Sequence, residues 1–349
     1  MNDRSILSHS RLRAAGELGQ QLWLDRPTPQ ALRALLETGG LAALIADDGL
    51  QGLIVAPAGF ALPEVRQACD LLSRLHADSA GQAGLVAITL PLPPRPAHDT
   101  GAHDTGAQDA PALLAAARRL WQAIGRPNAL IGLPATAAGI AALEEATFAG
   151  INIKLDLVFS AGQWRAARAA HCRGLARRLE AQLPVRGIAS VVSVGIAPLD
   201  TAVDALLARG SAASADTAAL RGRAAIAAAR LAYKEWQDDA GFAVFAAFGA
   251  APQRLLWSGM APADPARREV RYAEALMGAG TIAALPASVL DAFRGHGVAL
   301  PALETADAAA ERAVLTQLAH LGIDLATLGA DLLAAGLMQF EQAHDKLHV

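Results

Sequence analysis

RPNALIGLPATAAGIAALEEATFAGINIKLDLVFSAGQ (residues 126–163) decides the fold. A short apolar run, ALIGLPA (129–135), gives way to an alanine-rich stretch and then to a second apolar run, INIKLDLVF (151–159). This is the pattern of a strand, a crossover helix and a parallel strand. The same alternation continues in both directions, with strand candidates at QLWLD (21–25), GLIVA (52–56), GLVAITL (84–90), ASVVSVGI (189–196), RLLWSG (254–259) and TIAALP (281–286). Between them, ALLAAARRLWQAIG (112–125) and GQWRAARAAHCRGLARRLEAQL (162–183) place apolar residues on one face and arginines on the other, as outer helices do. Eight βα units predict an α/β fold, a single (β/α)8 TIM-type barrel closed on itself, with its site where the strands end.

The second run carries a polar pattern of its own. Side chains alternate across a strand, so Asn152, Lys154 and Asp156 share one face, and Ile153, Leu155 and Leu157 share the other. The apolar face suits the outer helices. The polar face then points into the barrel.

Composition narrows the function. The 349 residues are 53% hydrophobic and 18% charged, enough to bury a full core, and the formal charge of −3 provides no basic field for nucleic acid. Two cysteines, Cys69 and Cys172, are too few for a disulfide framework and lack metal-ligand spacing, so both read as buried small hydrophobes in a reducing compartment. No stretch has the length of a membrane span or the apolar core of a signal peptide. A cytoplasmic protein with no membrane partner is expected. Only three of the 30 basic residues are lysines, Lys154, Lys234 and Lys346, which singles out the one placed inside the barrel.

One domain is expected over 1–349, with an N-terminal helix within 1–20 and two C-terminal helices, within 303–349, folded back over the barrel. PLPPRPAHDTGAHDTGAQDAP (91–111) is a low-complexity loop with a tandem HDTGA repeat; its His98, Asp99, His103 and Asp104 match no metal-ligand spacing, and no metal or cofactor is expected.

Several stretches resemble the transaldolase family, specifically its longer bacterial type. LGQQLWLDRPTPQALRALLETGGLAALIADDGLQGLIVAP (18–57), the 126–163 segment, SVVSVGIAPLDTAVDALL (190–207), RYAEALMGAGTIAALPASVLDAFRGHG (271–297) and GIDLATLGADLLAAGLMQFEQAHDKL (322–347) carry the likeness in family order. The resemblance implies aldol chemistry on sugars through a lysine Schiff base. The functional positions depart from it. The strand-four lysine of an IKIPAT-like sequence is Gly132 in IGLPAT, and the strand-three glutamate of a VSLEVSP-like sequence is Thr89 in VAITLPL. The TSNP-like segment reads IVAP (54–57), and the strand-six serine and arginine that help hold sugar phosphate are Ala197 and Pro198. In strand five, where the family has asparagine and threonine in an NVTLLFS-like run, Lys154 and Asp156 stand in KLDLVFS. Amine, carboxylate and hydroxyl are therefore all retained, each at an exchanged position.

This reading makes Lys154 the relocated nucleophile, with Asp156 as acid and base, Asp25 as the matching strand-one carboxylate and Thr89 holding water. A lysine stem of roughly 6 Å can span the gap of about 4.8 Å to the next strand, and Gly132 leaves room for it. Arg26, Ser160 and Gln163 are the candidate substrate contacts, Ser160 equally a helix cap. Lys234 and Lys346 fall on outer helices. The ligand is a small sugar or aldehyde, and a homo-oligomer stays open. Two other readings stay open too. Carboxylates beside an amine favour its charged form, so Lys154 and Asp156 fit an ion pair in a catalytically inactive homologue with a binding or regulatory role. The barrel could also host chemistry that needs no amine.

Overall fold

The computed structural model describes residues 10–55, 60–91, 109–209 and 215–344. Its eight strands are β1 (Gln21–Asp25), β2 (Gly52–Val55), β3 (Leu85–Thr89), β4 (Ala129–Pro134), β5 (Ile153–Val158), β6 (Ser190–Gly195), β7 (Arg254–Ser258) and β8 (Ile282–Leu285). Each lies inside one of the eight apolar runs. They pair in chain order, and β8 pairs in parallel with β1 to close the barrel. No edge strand is left open.

Alternation along the strands sorts side chains into two layers. Leu22, Leu24, Leu53, Ile153 and Leu155 join the core between the strands and the outer helices. Trp23, Ile54, Leu130, Val191 and Leu256 belong to a separate cluster, the plug inside the barrel. Trp23 fits because Gly52 is its partner across β1 and β2; a Cβ there would lie 2.4 Å from Trp23 Cε2. Asn152 ties three strands together: its Nδ2 donates to the Pro127 and Ala129 carbonyls at 2.9 and 3.1 Å, and its Oδ1 accepts from the Ala189 amide at 2.8 Å.

The helix Ala137–Ala149 shows how the sequence sets these crossovers. Thr136 Oγ1 accepts from the Gly139 amide at 3.0 Å to start it, and Gly150 at φ 78° ends it. The helix Ala308–His320 packs against the outer helix Ala224–Gln237, and the helix Leu325–His344 lies against β5 at the barrel mouth. Among the described residues, no single helix is long and apolar enough to cross a membrane.

The expectations for Cys172 and Leu157 need adjustment, and others fall wholly or partly outside the described residues. The N-terminal helix is confined, among the described residues, to Arg11–Glu17. Cys172 is half-buried, whereas Cys69 is buried; both are free thiols. Leu157 does not share the outward face of Ile153 and Leu155. The β5–β6 register shifts between Leu155 and Val158, and Leu157 takes φ 64°, so a β-bulge turns it to the mouth of the barrel. The HDTGA repeat and Lys346 lie outside the described residues.

Candidate active site

The barrel interior changes character at the C-terminal ends of its strands, where active sites of this fold are built. Above the apolar plug, Asp25 ends β1, Thr89 ends β3, Lys154 and Asp156 come from β5, Ser193 from β6 and Ser258 from β7; all line one cavity of about 170 Å³. Three of the four exchanged positions fall in a single row, because Thr89 pairs with Gly132 and Gly132 with Lys154 across β3, β4 and β5.

Lys154 is among the largest fully buried side chains of the protein, at 1% exposure, and its ammonium nitrogen contacts Asp156 Oδ1. Asp156 sits one pleat further along, opposite Pro134, and is 6% exposed. Its carboxylate turns back toward Gly132, where an added Cβ would meet Oδ2 at 2.6 Å and Thr89 Cα at 2.9 Å. The space left at Gly132 is therefore filled by the Asp156 carboxylate. Oδ2 is buried and has no hydrogen-bond partner, so the pair leaves one acceptor unsatisfied at the floor of the cavity.

Asp25 is buried, and Arg26 Nε donates to its Oδ1 at 3.1 Å. Arg26 adopts φ 42°, an uncommon region for a side chain of this size, and its amide donates to the Ile54 carbonyl at 2.9 Å. This turn holds the guanidinium over the carboxylate. Asp25 first, and Asp156 more weakly, raise the Arg26 pKa against the opposing effect of burial. The arginine at the mouth is thus already committed to a carboxylate.

Ser160 and Gln163 are not among the residues lining this cavity. They form a capping box for the helix Ala161–Glu180: the Gln163 amide donates to Ser160 Oγ at 3.3 Å, and Gln163 Oε1 accepts from the Phe159 and Ser160 amides at 2.9 and 3.0 Å. Gln163 Nε2 reaches the Ala135 carbonyl at 3.3 Å. Lys234 is exposed on its outer helix.

Ser193 and Ser258 were not among the residues expected here; their hydroxyls meet at 3.0 Å, while Ser258 Oγ also donates to the Val194 carbonyl at 3.1 Å. Their signal was a serine two residues beyond an inward apolar residue, Val191 in β6 and Leu256 in β7. The roof of the cavity was not expected either. Leu332, Ala335, Gly336, Gln339 and Phe340, on one face of the helix Leu325–His344, cover the cavity.

Fold and site together define a (β/α)8 barrel with a buried amine and carboxylate at the strand ends. The sequence profile of the Transaldolase/Fructose-6-phosphate aldolase family matches residues 104–349. A protein named transaldolase from Thiobacillus denitrificans is 37% identical, covering 95% of this chain and 96% of its own length. A transaldolase from Neisseria gonorrhoeae is 36% identical over 95% of this chain and 96% of its own length, and transaldolase 1 of Streptomyces coelicolor is 31% identical over 96% and 92%. The chain belongs to the transaldolase family.

Proposed function

We propose that the protein carries out transaldolase-type aldol transfer or cleavage on a sugar or small ketose, through a Schiff base on Lys154. One observation carries this reading: Lys154, the only lysine inside the barrel among the described residues, lines the mouth cavity with Asp156 and Asp25. Attack requires the free amine, and the contact to Asp156 gives its proton a place to go. The nitrogen then bonds to the carbonyl carbon, and Asp156 returns the proton as the carbinolamine loses water to form the imine. Asp25 is the second carboxylate facing the cavity and takes the hydroxyl proton when the neighbouring carbon–carbon bond breaks. The electrons of that bond move into the imine as an enamine, which adds to an acceptor aldehyde or is protonated.

A second reading is favoured by the same contact. A buried ammonium held by a buried carboxylate is also how an inactive barrel would neutralise two charges. Incubation with a ketose and sodium borohydride separates the two. Irreversible loss of aldol activity in the wild type, absent without ketose, supports the Schiff base. Activity that survives Lys154→Met would remove Lys154 from the mechanism, and a wild type inert toward ketoses and aldehydes would leave the ion pair as the reading.

A further inference from the structure

The mouth cavity of about 170 Å³ is smaller than the roughly 300–1,000 Å³ that small-molecule sites usually offer. A second cavity of about 400 Å³ lies beside it, between the helices Ala161–Glu180 and Ala224–Gln237 and the start of Leu325–His344. Phe159 and Gly195 line both. The Phe159 ring rests on Gly195, where an added Cβ would lie 2.3 Å from its Cε1, and its backbone meets Gly329 of the roof helix. Phe159, packed between two glycines, is therefore a side chain that the two cavities share.

The walls of the side cavity are apolar, formed by Ile196, Leu199, Leu231 and Leu315 together with alanines such as Ala228. Trp164 Nε1 at its wall is buried without a hydrogen-bond partner, while two of its other polar side chains are committed elsewhere. Ser160 caps its helix, and Arg165 grips Glu235 through two contacts of 2.7 Å. The segment Gly195–Leu199, which contributes lining residues to both cavities, also contains Ala197 and Pro198, which offer a phosphate neither hydroxyl nor guanidinium. Pro198 faces the mouth cavity, and the side cavity beside it has mainly apolar walls that accommodate hydrocarbon.

We infer that the side cavity receives the hydrocarbon tail of the carbonyl compound that Lys154 binds, so that the substrate class includes aldehydes and ketones with an extended apolar substituent. The inference rests on the Schiff-base reading for the head group and on the shared Phe159 and Gly195 for the tail. It also accounts for a mouth cavity that holds the reacting carbons and little else.

Borohydride trapping with 2-butanone, 2-hexanone and 2-octanone tests it. In each case the lysine nitrogen bonds to the carbonyl carbon, the oxygen leaves as water, and borohydride supplies hydride to the imine. The half-saturating concentration should fall roughly fourfold per added methylene until the cavity is full. Ala228→Leu, which fills the side cavity, should flatten the series, and Leu231→Ala, which enlarges it, should extend it to longer chains. Trapping of 2-butanone with no gain from chain length, or a gain that Ala228→Leu leaves intact, would overturn the subsite while leaving Lys154 as the amine. If no ketone is trapped, the Schiff-base reading fails, and 1-hexanol, which cannot form an imine, still interrogates the cavity. It should raise the Tm of the wild type and not of Ala228→Leu; no shift in the wild type would overturn the subsite independently of Lys154.

Discussion

Gly132 and Asp156 are coupled by contact. An added Cβ at 132 would lie 2.6 Å from the Asp156 carboxylate and 2.9 Å from Thr89 Cα, and neither the strand backbone nor a buried carboxylate moves cheaply. Gly132→Lys should therefore destabilise the protein by about 1–3 kcal/mol and form no imine, as read by urea denaturation and adduct mass. Adding Asp156→Thr to it should recover part of that loss, because the smaller side chain vacates the space. The Lys154–Asp156 pair predicts a second asymmetry. Lys154→Met alone strands a buried carboxylate and should cost about 3–5 kcal/mol, whereas the double variant Lys154→Met with Asp156→Leu should be near neutral or more stable than the wild type. A single variant as stable as the wild type would show that the two side chains do not depend on each other. These contacts were only partly legible in the sequence. Period-two polarity placed Lys154 and Asp156 on one face of β5, but the carboxylate's return toward Gly132 depends on a neighbouring strand that periodicity does not see.

At the level of elements, the helices Ala137–Ala149 and Ala161–Glu180 meet around His171, whose Nδ1 lies 3.2 Å from Thr147 Oγ1. Burial pushes His171 down to about 4, so the folded protein holds it neutral while the unfolded chain protonates near its ordinary value of 6.5. The stability this supplies is complete above pH 6.5 and is lost as the pH falls from there toward 4. Unfolding free energy should drop by about 2 kcal/mol between pH 7.5 and pH 5 from this group alone. His171→Gln should remove that part of the slope in denaturation measured at the two pH values; an unchanged slope would mean the imidazole is not held neutral. The strands were legible because alternation and apolar runs report them directly. The bulge at Leu157 was not, since a register shift is imposed by pairing with β6. The capping role of Ser160 was visible as one alternative; that of Gln163 was not drawn, although the S-x-x-Q spacing that supports it lies within the chain's own local sequence.

For the molecule as a whole, two C-terminal helices folding back over the barrel could be anticipated from their position after β8, but not which face of Leu325–His344 would roof the mouth. That roof, the committed Arg26 and Pro198 line the mouth cavity, and under the proposed function they and Ala197 shape what the barrel accepts. Losing a charge-assisted contact typically costs about 1.5–3 kcal/mol, so fructose 6-phosphate should be used at least roughly tenfold less well than a transaldolase with an intact phosphate grip uses it. Steady-state kcat/KM on that donor checks this, and kcat/KM at the level of such an enzyme would mean that the phosphate is held by groups other than those at 197 and 198. The account as a whole depends on where the imine forms. The most direct test is peptide mapping by mass spectrometry of protein reduced with borohydride in the presence of a ketose or aldehyde. The expected result is a single reduced adduct on the peptide containing Lys154, absent from Lys154→Met; an adduct on another residue, or none with any carbonyl compound tried, would contradict the relocated nucleophile.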